Sequence, residues 1–245
     1  MVDQFSKPSL RTVLLGLCVA IGLTACGSDD SETELSGAAA KFLKEAGKKI
    51  STKASGAGSA KPAPGGGAKA PDPNAIVAKA LAATSGPIAL VVRIDTNAVL
   101  AMNPVGRNAG YVTWGSAAGQ GLTFKRGVLS NSRGLGEDLM ASRIDAAVAA
   151  ITSRRAASYQ REHYYLGDLG QSTRLVLECS LSRLKSERVA IGDINADAVV
   201  LKEQCRKDAI SFDNLYWVDG RGRVLKSSQW VSQRIGSLAI QNLRL

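Results

Sequence analysis

Histidine is almost absent from this chain, and the sequence contains none of the common motifs for nucleotide or acyl-transfer chemistry. His163 is the single histidine among 245 residues, so a Ser-His-Asp triad would have to include it. No GxSxG, GxGxxG or GxxxxGK[ST] motif occurs. The four cysteines form no CxxC pair, so a thiolate metal site lacks its ligands. The sequence therefore predicts no catalytic residues, no metal site and no cofactor.

Aromatic residues are scarce as well, at 5% of the chain. The three tryptophans, Trp114, Trp217 and Trp230, are candidates for stacking on the flat face of a sugar or on a partner protein. In a chain with so few aromatic residues, a tryptophan is more often part of the core. The sequence favours the core position for each tryptophan, with polymer or partner contact as the alternative.

Long hydrophobic runs are missing, and the uncharged run near the N-terminus is short. It covers residues 12–25, which is fewer than the roughly 20 residues of a membrane-spanning helix. Lys7 and Arg11 precede it, an order typical of a secretory signal peptide. The run ends at Leu23-Thr24-Ala25-Cys26, which resembles the bacterial lipobox. This resemblance implies that residues 1–25 are a lipoprotein signal peptide and that Cys26 is diacylated; a plain signal peptide with a chance cysteine is the alternative.

Acidic residues are fewer than basic ones, and the chain carries a net charge of +10. Loss of residues 1–25, with Asp3, Lys7 and Arg11, lowers this to +9. The basic residues are scattered among acidic neighbours, which is typical of a solvated surface. Export argues against nucleic acid as a partner, whereas anionic lipid or anionic polysaccharide remains an alternative.

Large apolar residues are rare in most of residues 26–73. The segment begins with the polar stretch SDDSETELS and ends in a stretch rich in Gly, Ala, Pro and Lys. Such a composition cannot bury enough apolar surface to offset the entropy of ordering. We expect a flexible tether, in which AAAKFLKEAGKKI forms a short helix. About 47 residues of coil give a reach of roughly 40 Å.

Short apolar runs separated by Gly, Asn and Ser fill most of residues 74–245. Helical spacing occurs in PNAIVAKALAATSG and in SRIDAAVAAITSRR. The remaining runs read as strands, including separate strands at 173–184 and 188–194, and Asp219-Gly220 marks a hairpin turn. We therefore expect a mainly β fold, an antiparallel sandwich or barrel-like β domain with one or two short helices.

Two cysteines, Cys179 and Cys205, remain once the signal segment and Cys26 are set aside. An exported protein meets an oxidising compartment, where an even number of cysteines favours a disulfide. We expect a bond between the two, with two separate buried thiols as the alternative.

Residues 106–142 carry the sequence GRNAGYVTWGSAAGQGLTFKRGVLSNSRGLGEDLMAS, and the C-terminal part carries YWVD and SSQWV. In this order the motifs resemble the YjbF/GfcB family of lipoproteins, which belongs to exopolysaccharide and group 4 capsule loci. The resemblance covers roughly residues 75–245. It implies an accessory factor in polysaccharide production or export, in contact with exopolysaccharide and other envelope export proteins. An envelope enzyme that modifies or cleaves polysaccharide is the alternative.

Residue 27 is Gly rather than Asp, so the usual signal for inner-membrane retention is missing. We therefore expect the outer membrane as the location, with the β domain facing the periplasm.

The stretch Ser132-Arg133-Gly134-Leu135-Gly136 indicates a sharp turn, because glycine accepts positive φ. Arg133 is a candidate contact for a sugar or a partner. The favoured alternative is a structural turn in which Arg133 pairs with Glu137 or Asp138. These adjacent carboxylates are poor candidates for glycoside chemistry, since neighbouring side chains on one turn diverge.

Overall fold

The computed structural model describes residues 73–94, 96, 98–167 and 170–245. Cys26 and most of the expected tether lie outside these residues. No helix in the described part of the chain is long and apolar enough to cross a membrane. The elements in chain order are α1 (Pro73–Ala83), β1 (Ile88–Arg93), β2 (Val99–Asn108), β3 (Tyr111–Ser116), β4 (Gly121–Lys125), β5 (Val128–Arg133), β6 (Leu139–Arg143), α2 (Asp145–Ser153), β7 (Ala157–Leu166), β8 (Ser172–Ile191), β9 (Ile194–Lys207), β10 (Ile210–Asp219), β11 (Val224–Ser232) and β12 (Gly236–Arg244).

All twelve of these strands belong to one antiparallel sheet, in the order β5-β4-β3-β2-β1-β12-β11-β10-β9-β8-β7-β6. Strands β1 to β5 and strands β6 to β12 each pair with their neighbours in the chain. Pairing of β1 with β12 joins the two halves. The sheet curls until it is nearly closed and barrel-shaped. The prediction of a mainly β, antiparallel fold of barrel-like form is confirmed.

The two edge strands, β5 and β6, lie side by side, and a turn held by side chains closes the gap between them. Ser132 Oγ donates to Asp138 Oδ1 at 2.9 Å and accepts the Leu139 N–H at 2.9 Å. The Asp138 carboxylate also accepts the N–H groups of Gly134 and Leu135, at 2.7 and 3.1 Å. The Ser-Arg-Gly-Leu-Gly motif therefore forms the turn that joins the two edge strands, and we call this place the seam of the sheet.

Burial on both faces of β1 follows from the two layers that cover it. Side chains alternate between the faces of a strand. Val91 joins the interior cluster that contains Met102. Leu90 and Val92 point the other way and belong to the cluster formed with α1, through Val77. This is why the β1 sequence is continuously apolar rather than alternating.

Strand β8 is one continuous strand of 20 residues, so the prediction of separate strands at 173–184 and 188–194 is wrong. Beyond Leu181, β8 pairs only with β9. Residues 182–188 are polar except for Leu184 and mostly exposed, and they interrupt the apolar pattern but not the backbone ladder. A register shift between Arg183 and Lys185 marks the interruption.

Candidate functional site

A cavity of about 310 Å³ opens at one end of the barrel-shaped sheet. The residues around it come from the start of β1, the end of β2, the start of β3, the β4–β5 turn, the start of β11 and the end of β12. In an antiparallel sheet these positions share one end of the strands. The lining consists of Pro87, Ala89, Val91, Met102, Arg107, Val112, Trp114, Phe124, Arg126, Gly127, Gly222, Arg223, Val224, Ser227, Ile240, Asn242 and Leu245. Its volume and mainly apolar walls are typical of a small-molecule site.

Three arginines, Arg107, Arg126 and Arg223, stand among the lining residues and are exposed to solvent. Arg223 is held by Asp219, with Nε 2.8 Å from Oδ2. Within the described part of the chain, no carboxylate forms a salt bridge with Arg107 or Arg126. No described aspartate or glutamate lines the cavity. The arrangement therefore favours the binding of a negatively charged group at the opening of the cavity.

The β4–β5 turn positions Arg126 through its backbone. Both Arg126 and Gly127 have positive φ, at 50° and 87°, as in a type I′ hairpin turn. A Cβ on Gly127 would lie 2.6 Å from Cβ of Val224. Glycine is thus required here both for conformation and for the close approach of the turn to β11.

Of the three tryptophans, Trp114 is the one that lines the cavity, and it is half-buried. Trp217 is buried, with Lys226 Nζ 4.2 Å from its ring centroid. Trp230 is buried and stacks on Phe212, with 4.1 Å between ring centroids. A sugar or a partner therefore has access to Trp114 but not to the faces of Trp217 and Trp230.

Arg133 is exposed at the seam and does not line the cavity. Its Nη1 lies 2.7 Å from Sδ of Met140. The favoured ion pair with Glu137 or Asp138 is not formed within the described residues, so that prediction is wrong. The reason is that Asp138 binds the backbone of the seam turn, and Glu137 accepts the Arg234 N–H at 3.1 Å. Arg133 remains available to a partner.

His163 lies in the interior, where it cannot meet a substrate. It is fully buried, its ring centroid is 5.9 Å from that of Trp230, and Nδ1 is 3.2 Å from the Tyr165 hydroxyl. Burial, together with the positive charge of Arg161, lowers the pKa of His163 well below its ordinary value. The imidazole is therefore neutral at physiological pH.

A buried ion pair beside His163 was not foreseen from the sequence. Glu203 and Arg161 are both buried, with Arg161 Nη1 2.8 Å from Glu203 Oε2. The same carboxylate accepts hydrogen bonds from Tyr159, Asn214 and Tyr216, at 2.8, 2.7 and 3.0 Å. Burial and the nearby Glu203 carboxylate raise the pKa of the Tyr159 phenol well above its ordinary value. Together, these donors compensate the negative charge of the Glu203 carboxylate inside the sheet.

Cys179 on β8 and Cys205 on β9 are paired in the ladder and joined by a disulfide, with a Cα–Cα distance of 4.1 Å. The Glu203 carboxylate lies close to both sulfur atoms. Because the sulfur atoms are bonded to each other, they do not offer thiolates to a metal ion.

Comparison with known proteins identifies the family. Among curated proteins, none matches the chain. The crystal structure of the hypothetical lipoprotein YmcC from Escherichia coli (K12) is similar, with a TM-score of 0.61 at 15% sequence identity. The similarity covers 70% of this chain and 90% of that chain. Residues 58–243 match the family of the group 4 capsule polysaccharide lipoprotein gfcB, YjbF. This match extends over most of the sequence, and the chain belongs to the YjbF family.

Proposed function

We propose that this protein is an outer-membrane lipoprotein that acts as a non-catalytic accessory factor in the production or export of exopolysaccharide or capsule. Membership of a family of capsule polysaccharide lipoproteins supplies the process. The observation that carries the non-catalytic role is the lining of the cavity, which combines apolar side chains with three arginines. Such a site is suited to holding an anionic partner rather than to acid–base chemistry.

The competing function is an envelope enzyme that modifies or cleaves polysaccharide. Glycoside hydrolysis ordinarily needs two carboxyl groups that flank the scissile bond. Glu137 and Asp138 are instead engaged with backbone N–H groups near the seam. His163 is enclosed by the sheet. These positions favour the accessory role.

A deletion strain separates the two functions. An accessory factor predicts loss of secreted polymer whose remaining chains have normal length. An enzyme predicts altered chain length with secretion intact, and that result would reject the proposal. Complementation with the wild-type gene controls for effects on neighbouring genes.

The outer-membrane location rests on Cys26 and on Gly27, which lie outside the described residues. Cys26→Ala should leave uncleaved precursor in the inner membrane, and metabolic labelling with palmitate should mark the wild-type chain alone. Recovery of the mature protein with inner-membrane markers on a sucrose gradient would contradict the location.

A further inference from the structure

The cavity at the end of the sheet is poorly suited to a ligand covered with hydroxyl groups. Two polar side chains that line it are already engaged. Ser227 Oγ lies 2.9 Å from Gln229 Nε2, and Asn242 Nδ2 donates to the carbonyl of Val224 at 3.0 Å. A sugar hydroxyl buried here would lose its hydrogen bonds to water and find few replacements.

Its walls are instead suited to a hydrocarbon. Val91, Met102, Phe124 and Ile240 line the cavity and belong to one interior cluster. Trp114 extends this apolar surface toward the opening, where it is half-buried. A flexible apolar chain would gain free energy in proportion to the surface it removes from water.

Charge at the mouth specifies the other end of the ligand. Arg107 and Arg126 line the cavity and are exposed to solvent, and neither forms a salt bridge with a described carboxylate. A guanidinium binds a carboxylate through paired N–H donors. The apolar wall and the charged rim thus fit one molecule with an apolar chain and an anionic end.

We propose that the cavity binds a single-chain fatty acyl carboxylate, with the hydrocarbon chain against Met102 and Phe124 and the carboxylate at Arg107 and Arg126. The apolar walls and the positively charged arginines favour this ligand over an acidic sugar. The binding goes beyond the proposed function and does not depend on it. It rests on the cavity alone, so the secretion phenotype of the deletion strain neither supports nor contradicts it.

Photo-crosslinking tests the proposal on the full chain in isolated membranes. The probe is a dodecanoic acid that carries a diazirine near the end of its chain, and mass spectrometry maps the labelled peptides. We expect labelling in the peptides of β1–β4, β11 and β12. Leu184, an apolar residue on β8 that is 54% exposed, reports non-specific adhesion. Unlabelled dodecanoate should suppress the cavity labelling, and octanoate should be a much weaker competitor, since each buried methylene contributes to affinity.

Matched variants separate charge from shape. Val112 is a half-buried wall residue, so Val112→Glu introduces a repulsive carboxylate, and Val112→Gln introduces the same volume without charge. Glutamate should abolish cavity labelling, and glutamine should retain most of it. The double variant Arg107→Ala/Arg126→Ala should reduce labelling about tenfold, as expected for lost charged hydrogen bonds. Arg206→Ala, an exposed change on β9, is the control.

Three results would overturn the proposal when thermal melting shows that the variants are folded. The first is cavity labelling no stronger than labelling around Leu184. The second is equal damage from Val112→Gln and Val112→Glu. The third is competition by a dodecyl ammonium or an acidic oligosaccharide as strong as that by dodecanoate, which would assign the site to a different ligand class.

Discussion

Gln229 on β11 binds the backbone of the edge strand β5 from across the interior of the sheet. Its Oε1 accepts the Leu129 N–H at 2.8 Å, and its Nε2 donates to the carbonyl of Gly127 at 2.9 Å. Edge strands have backbone groups that no neighbouring strand satisfies. One amide side chain therefore supplies part of the bonding that a closing strand would otherwise provide, and it also anchors the turn that carries Arg126.

Gln229→Leu should destabilise the protein by about 2–4 kcal/mol, because the buried Leu129 N–H and the half-buried Gly127 carbonyl lose their partner at nearly constant side-chain volume. Denaturant unfolding followed by circular dichroism measures the change. Gln233→Leu, in the exposed β11–β12 turn, is the control and should stay within about 0.5 kcal/mol of wild type. Equal stability of the two variants would mean that the interior contact is not stabilising.

Short apolar runs and regular turn residues were enough to predict a mainly β antiparallel fold, a sandwich or a barrel-like domain, because these signals are local in the sequence. The contacts of Gln229 are not local, since it reaches a strand 100 positions earlier in the chain. The cavity is likewise formed by residues that are far apart in the sequence. Arg107 and Arg126 lie within the stretch that carries the family resemblance, but nothing in that stretch shows that they line one cavity with Arg223.

The buried ion pair shows a further limit of the sequence. Arg161 and Glu203 occupy inward positions on β7 and β9 and are 42 positions apart. A charged residue at an inward position of a strand usually indicates an exposed face. Only the strand order brings the two together, so the sequence could suggest exposure but not pairing.

Glu203→Gln should be strongly destabilising, by about 3–5 kcal/mol, because it leaves the buried Arg161 guanidinium without a counter-charge. Glu178→Gln is the matched control, since Glu178 is exposed on β8 and bonds Gln160 at the surface. Chemical denaturation of the two variants side by side gives the comparison. Similar unfolding midpoints would show that the interior charge is solvated.

The tryptophans should separate into two classes. Trp217→Ala and Trp230→Ala should each cost about 3–5 kcal/mol, as expected for the loss of a buried aromatic side chain. Trp114→Ala should cost less, since Trp114 is half-buried. Melting temperatures of all three variants measure the loss of stability. Polymer secretion in complemented strains measures any loss of function. A normal melting curve for Trp217→Ala or Trp230→Ala would show that its indole is not part of the core.

Removal of the disulfide by Cys179→Ala/Cys205→Ala should lower stability by roughly 3 kcal/mol on the entropic account, because the bond closes a loop between residues 26 positions apart. The β8–β9 ladder surrounds the pair, so the fold should persist in the variant. Non-reducing peptide mapping of periplasm-derived protein checks the bond itself. Two free thiols in that experiment would contradict the pairing.

His163 should make the folded protein sensitive to mild acid. Its pKa is lowered in the folded state. Below a pH of about 6.5, the ordinary pKa of histidine, the unfolded chain therefore binds a proton that the folded chain does not bind. Stability is then fully present above that pH and falls as the pH drops below it. From pH 7 to pH 5 the loss should be roughly 2 kcal/mol for one proton.

His163→Phe isolates this loss, because phenylalanine keeps an aromatic ring beside Trp230, and the Tyr165 hydroxyl retains its bond to the Val231 carbonyl at 2.6 Å. Denaturation at pH 7 and pH 5 should show a smaller decline for the variant. Glu162, whose pKa the Arg174 hydrogen bond lowers to about 2, does not titrate in this window. Equal slopes for variant and wild type would contradict a neutral buried imidazole. Loss of polymer secretion in a variant of normal stability would give His163 a functional role and reject the non-catalytic proposal.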